Sequence, residues 1–226
     1  MVATLIAVAV ATGPSHAAAA ARLPASYPAA GYLLVPKVAA RVAPNPHARV
    51  VLTLDQFRSD FRPQIVLAVA ERTGTNGKPW FRLSLPMRPN GSMGWIPAAF
   101  ASISPTHNKI VINRGQRQLY IYRSNKLVFN TIVAIGAPGR VTPLGHFYVM
   151  ARFTPDDPFL GVFAVETSAY SSLTEWPGGG IVGIHGTSMP QLLGQAVSHG
   201  CVRISNTAAL VLKRYALLGT PITITA

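Results

Sequence analysis

The segment SHGCVRIS, residues 198–205, holds Cys201, the one cysteine in a chain of 226 residues. A cysteine attacks as its thiolate, so a nucleophilic Cys201 needs a base to take its proton or an electropositive site that lowers its pKa. Two histidines are near in sequence. His199 is two residues away and shares a face with Cys201 if the segment is extended, although Gly200 can bend the chain between them. His185 is sixteen residues upstream, after the strand-like IVGI, and residues 188–193 between them read as a capped helical turn. A strand, a helical turn and a return bring two such points together, and Cys/His catalysis needs proximity in space rather than in sequence. Gly200 lets the backbone N–H groups around Cys201 approach a substrate carbonyl, as an oxyanion hole requires. These parts suit acyl transfer. Each alone has a plainer reading: a small buried hydrophobe for the cysteine, a satisfied structural group for a histidine, a turn for a glycine.

Composition narrows the surroundings. Hydrophobic residues make up 49% of the chain and charged residues 12%, enough apolar material for a packed core. A net charge of +13 favours anionic partners such as nucleic acid, anionic lipid or an acidic wall polymer. The basic residues are scattered, with no Lys/Arg run of five and no zinc-finger or RRM-like pattern, so nucleic acid is not expected as a partner. Residues 2–12, VATLIAVAVAT, form an uncharged apolar run followed by GPSHAAAAAR, with small residues suited to cleavage. Residues 1–21 therefore read as a signal peptide, although no basic residue precedes the run; roughly 20 apolar residues would be needed to span a bilayer. The chain is expected to be exported, to the periplasm or the cell wall, and association with the wall or the membrane periphery stays open. One cysteine cannot form an internal disulfide, so in an oxidising compartment it pairs between molecules or reacts.

The elements that must position Cys201 are mostly strands. RLPASYPAAGY, residues 22–32, has no periodicity and reads as a linker. Residues 33–104 carry short apolar runs punctuated by GTNGKP and RPNGS, the pattern of hairpins in a small β-barrel whose core would take Trp80 and Trp95. Ser104-Pro105-Thr106 marks a boundary, since proline cannot donate to a ladder. From 109 to 136 apolar and polar residues alternate with turns at Arg114-Gly115 and Ser124-Asn125, a β-meander. GHFYVMARF and FLGVFAVE continue as strands, TEWPGGG is a glycine-rich loop, and PITITA is the last strand. TAALVLKRYALLG predicts a helix with Asn206 as N-cap, Leu210, Val211, Leu217 and Leu218 as its apolar face, and Gly219 at its end. The fold class is mainly β: a small barrel followed by a β-rich domain with short helices.

Two resemblances sharpen this reading. IHGTSMPQLLGQAVSHGCVRISN, residues 184–206, resembles the active-site signature of L,D-transpeptidase catalytic domains of the YkuD type, whose pattern runs HGT, P, G, then AVS-x-GC, a small apolar residue and R. Thr142, Pro143, Gly145 and Phe147 match its Thr-Pro-x-Gly-x-aromatic stretch, and the likeness covers residues 108–226. Residues 33–104 resemble a bacterial SH3-like (SH3b) domain through Arg41-Val42-Ala43-Pro44, Trp80-Phe81-Arg82-Leu83 and Asn90-Gly91-Ser92-Met93-Gly94-Trp95-Ile96.

The first resemblance implies Cys201 as nucleophile, His185 as its base, Gly186 as a backbone-carbonyl partner orienting the imidazole, and Gly200, Ser198 and His199 shaping the site. Arg203 matches a family arginine, which adds positive charge near the thiolate or the substrate carboxylate, or clamps structure. The implied reaction is attack on the carbonyl of the third residue of a peptidoglycan tetrapeptide stem, release of D-alanine, and transfer of the acyl group to an amine or to water. Such chemistry needs no cofactor and no metal; Asp156-Asp157 lack the spaced partners of a metal site. A contrasting expectation is a non-catalytic wall-binding protein that uses the SH3-like domain.

Overall fold

The computed structural model describes residues 26–175 and 177–226. The segment read as a signal peptide lies outside the described residues. Seven strands come first: β1 Ala29–Leu33, β2 Lys37–Arg41, β3 Val50–Asp55, β4 Ile65–Thr73, β5 Pro79–Ser84, β6 Met93–Pro97 and β7 Ala101–Pro105. They form one antiparallel sheet in the order β3-β2-β6-β5-β4-β1-β7. Its core includes Leu33, Val38, Leu54, Val66, Phe81, Leu83 and Ile96. Trp80 and Trp95 are both buried, and the Trp80 indole N–H donates to Asn76 Oδ1 at 3.1 Å. Pro105 ends an edge strand, where its missing N–H costs no ladder bond.

β1 departs from the sequence reading, because its residues up to Tyr32 fall in the segment expected to be a linker, and it sits between β4 and β7. Its sequence AAGYL carries little apolar pattern, and the reason for the small residues is close packing. A Cβ at Gly31 would lie 1.8 Å from the Ser102 carbonyl oxygen on β7. The strand needs glycine there, and the composition that resembled a flexible tether is that of a crowded sheet.

The second unit holds β8 Asn108–Asn113, β9 Gln118–Arg123, β10 Lys126–Ile132, β11 Ile135–Gly136, β12 Gly145–Phe153, β13 Ala164–Tyr170, β14 Ile181–His185, β15 Ala196–Ser198, β16 Val202–Arg203, α1 Asn206–Tyr215 and β17 Pro221–Thr225. Eight of its strands pair in the order β10-β9-β8-β17-β12-β13-β14-β16, and β11 and β15 form a parallel pair beside them. The expected meander is present, with Arg117, Ser124 and Asn125 at positive φ in its turns. Residues 159–163 precede β13 instead of forming it; a 3-10 turn occupies Pro158–Leu160.

The helix is shorter and capped one residue earlier than its sequence suggests. Ser205 is the N-cap, its Oγ accepting from Ala208 N–H at 3.1 Å, and the last helical residue is Tyr215. Ala208, Ala209 and Leu212 face the core, whereas Leu210 is 58% exposed and Leu217 and Leu218 lie beyond the helix. Small residues let the helix sit close to the sheet.

The faces of the second sheet decide where chemistry can occur. Val165, Ala169, Val182, Ile184 and Val202 point into the main core. Gly183 and His185 therefore lie on the opposite face, since neighbours on a strand alternate. Glu166 pairs with Gly183 and Ala164 with His185, and His185 pairs with Arg203 across the parallel β14–β16 ladder. That same face is where the first unit docks: Ile65 and Leu67 of β4 pack with Tyr148 and Met150 of β12 and with Ile181 of β14. The Tyr148 hydroxyl donates to the Ile65 carbonyl at 3.1 Å, and Arg58 and Arg62 pair with Glu166 at 2.5 and 3.3 Å.

Candidate active site

β14 delivers His185 at its C-terminal end, and the turn between β15 and β16 delivers Cys201. Between them a single 3-10 turn at Pro190–Leu192 makes the return. The Gly183 N–H donates to Cys201 Sγ at 3.3 Å. A Cβ built on Gly183 would lie 3.8 Å from Sγ and 3.9 Å from His185 Cδ2. Sulfur and imidazole thus converge on a space that exists because residue 183 has no side chain. The sequence reading passed over Gly183; its signal was a glycine inside the strand-like IVGIH, between the core-facing Val182 and Ile184, which weakens a strand unless something approaches closely.

The imidazole is buried, with its Nδ1 2.6 Å from the Gly186 carbonyl oxygen. A carbonyl only accepts, so Nδ1 carries the proton and the neutral ring keeps its lone pair on Nε2. Gly186 packs too tightly for a side chain: a Cβ there would lie 2.3 Å from Asn206 Oδ1 and 3.1 Å from Gly161 Cα. Burial pushes the His185 pKa down to about 4, against the pull of the Gly186 and Leu160 carbonyls and helped by the Arg203 charge. Burial also pushes the Cys201 thiol up, opposed by the Gly183 N–H and by Arg203. At neutral pH the resting pair is therefore a thiol and a neutral imidazole, so the base has to act during attack.

Ser198 and Gly200 shape the turn that carries Cys201. Ser198 Oγ donates to the Cys201 carbonyl at 2.6 Å and accepts from Gly200 N–H at 3.1 Å. Gly200 adopts φ +117°, which a side chain would strain, and its carbonyl accepts from Thr142 Oγ1 at 2.8 Å. Thr142 in turn accepts from Gly136 N–H at 2.9 Å and is fully buried. The Thr-Pro stretch is thus a brace for the Cys201 turn. His199 sits at the more exposed edge, its pKa lowered first by desolvation and then by Arg140 and Arg203. The Arg203 guanidinium lies 4.6 Å over the Phe159 ring, and among the described residues its Nε has no hydrogen-bond partner. All seven residues singled out from the sequence meet within this one region. Gly183, Thr142 and Phe159 join them.

The chain is similar to known proteins in sequence and in fold. Residues 107–224 match the YkuD family, described as the L,D-transpeptidase catalytic domain. A Bacillus licheniformis protein named as an L,D-transpeptidase YkuD is 32% identical over 181 residues, covering 76% of this chain and 93% of its own length. Its Bacillus subtilis counterpart is 31% identical over 116 residues, covering 51% of this chain and 64% of its own. A solved L,D-transpeptidase from Mycobacterium tuberculosis superposes with a TM-score of 0.48 at 15% identity, over 72% of this chain and 90% of that one.

Proposed function

The chain belongs to the YkuD family of L,D-transpeptidase catalytic domains, and on that premise we propose that it is an exported cysteine transpeptidase that remodels peptidoglycan. The observation that carries this reading is the convergence of Cys201 Sγ and His185 on the space above Gly183.

In the first half-reaction the donor tetrapeptide stem lies over Gly183 with the carbonyl of its third residue beside Sγ. His185 takes the thiol proton as the C–S bond forms, becoming imidazolium held by the Gly186 carbonyl. The backbone N–H of Cys201 receives the negative charge on the carbonyl oxygen, while the Gly200 N–H stays on Ser198 Oγ. Collapse of the tetrahedral intermediate breaks the amide bond, and His185 returns the proton to the departing amine of D-alanine. In the second half an amine of a neighbouring stem attacks the thioester and gives its proton to His185, the thiolate leaves and is reprotonated, and a 3→3 cross-link results. Water in place of the amine gives L,D-carboxypeptidase activity. Arg203 supplies positive charge beside the sulfur, as the mutual influence of Arg203 and Cys201 on each other's protonation supports. His199 and Ser198 border the substrate.

The first unit is read as an SH3-like domain that associates with the wall, with the signal segment directing the chain to the periplasm or cell wall. The deciding experiment is intact-mass analysis of the protein incubated with a tetrapeptide-stem muropeptide, beside Cys201→Ala. A thioester adduct or released D-alanine with the wild type alone supports the proposal. Wall-fragment binding by both proteins with no reaction in either would replace it with a binding role.

A further inference from the structure

The turn Pro86–Gly91 of the first unit reaches the second unit at the end of β13, next to the nucleophile turn. The Arg88 guanidinium donates to the carbonyl oxygens of Ser171 at 3.0 Å and Gly179 at 2.9 Å, and lies 4.7 Å over the Tyr170 ring. Asn90 pairs with the Tyr170 backbone in both directions, accepting from its N–H at 3.0 Å and donating to its carbonyl at 2.8 Å. The Tyr170 hydroxyl returns a bond to the Pro86 carbonyl at 3.1 Å. Ser171, the residue so held, is buried, bonds its own N–H to the Gly180 carbonyl at 2.8 Å and turns its Oγ to Leu173 N–H at 3.2 Å. Its side chain backs directly onto the nucleophile turn: a Cβ on Gly200 would lie 2.9 Å from Ser171 Cβ. Close packing also fixes the partner strand end, because a Cβ on Gly180 would lie 2.7 Å from an Arg88 nitrogen.

We propose that Arg88, supported by Asn90, is a positioning residue of the active site: from the first unit it fixes Ser171, and through Ser171 the Gly200–Cys201 backbone that sets the place of Sγ and of the Cys201 N–H. The proposal rests on the transpeptidase reading for its kinetic consequence, but its structural content does not. A guanidinium is suited to the task, since its Nη2 carries two N–H donors, one for each carbonyl, while its face stacks on the Tyr170 ring. Oxyanion stabilisation depends steeply on donor position, so a displaced backbone shows in turnover more than in substrate binding.

The test compares the full-length chain with Arg88→Ala, Arg88→Lys and Tyr148→Phe. Tyr148→Phe removes an inter-unit hydrogen bond to the Ile65 carbonyl that involves neither Arg88 nor Ser171, and reports on loosening of the interface. Steady-state kinetics with a tetrapeptide-stem muropeptide are expected to show kcat lowered about tenfold or more in Arg88→Ala with KM within about twofold. Arg88→Lys, which keeps N–H donors but loses the plane stacked on Tyr170, is expected to fall between Arg88→Ala and wild type, and Tyr148→Phe to match wild type in kcat. In parallel, the amide resonances of Gly200 and Cys201 are expected to shift in Arg88→Ala and to stay in place in Tyr148→Phe. If the wild type does not turn over, the transpeptidase reading fails while the amide resonances still decide the positioning role. Unmoved resonances in Arg88→Ala, an unchanged kcat, or an equal loss of kcat in Tyr148→Phe would overturn the proposal.

Discussion

His185 is neutral in the folded protein over a range where an exposed histidine would carry charge, and this has two separate consequences. For catalysis, the acid limb of kcat/KM should fall near the folded value of about 4, with the base competent at pH 5 and above. For stability, the unfolded chain takes up a proton as pH falls below 6.5, whereas the folded chain waits until about 4. Stability is complete above pH 6.5 and is lost as pH falls through that window, by about 3 kcal/mol. Urea unfolding of wild type and His185→Gln at pH 7 and pH 4.5 checks this: the variant should show a smaller pH dependence. The thiol carries its own signature. Because burial raises its pKa, iodoacetamide alkylation of Cys201 should increase at higher pH than for an exposed cysteine, without the low-pH plateau of a preformed thiolate–imidazolium pair. Gly183→Ala separates space from stability. The added methyl meets Sγ and His185 at ordinary contact distance and the Val165 carbonyl at a tighter 3.3 Å, so thermal unfolding should shift little. It fills the place of the reacting carbonyl, and kcat/KM should fall about a hundredfold.

At the scale of elements, the nucleophile turn is held from β11 and the loop before β12 by one hydroxyl. Thr142→Val keeps shape but leaves the Gly136 N–H and the Gly200 carbonyl without their buried partner. A loss of about 2–3 kcal/mol in urea unfolding is expected, together with reduced kcat. The Thr142–Gly200 pairing spans 58 positions, which is why the motif could be matched in the sequence while its job could not be read from it. The same holds for Gly183, whose meaning depends on β14 lying beside β16. What the sequence does reveal is local: the meander, the span of β12, the last strand and the Cys/His/Gly grouping all follow from alternation and turn residues. β1 was hidden because Ala and Gly carry no pattern, and the helix was misjudged for a related reason. Its buried face is Ala208, Ala209 and Leu212, so the larger Leu210 drew attention to the exposed side. The cap is Ser205 where the sequence reading has Asn206: either residue type suits the position, and only backbone geometry separates them.

For the whole molecule, the decisive fact is that the first unit covers the face of the second sheet that also bears Cys201 and His185. One carboxylate has a large share in holding it there. Glu166 bonds both Arg58 and Arg62, with side chains 24%, 15% and 38% exposed, and Arg58 Nη1 is buried without a partner among the described residues. Asp60 also pairs with both arginines but belongs to their own loop, so it cannot tie the loop to the sheet. In a chain of net charge +13, Glu166→Gln leaves two guanidinium groups against the second unit with no charge on its side to oppose them. A fully exposed pair would be worth about 1 kcal/mol or less and a broken buried pair about 3–5, so partial exposure places the loss near 2 kcal/mol. Calorimetry at low salt should show a lower Tm for Glu166→Gln. Adding salt should narrow the difference, because screening weakens the Glu166 ion pairs that the wild type has and the variant lacks. An unchanged Tm at low salt would mean that the apolar contact of Ile65 and Leu67 with Tyr148 and Met150 holds the units together without the ion pairs.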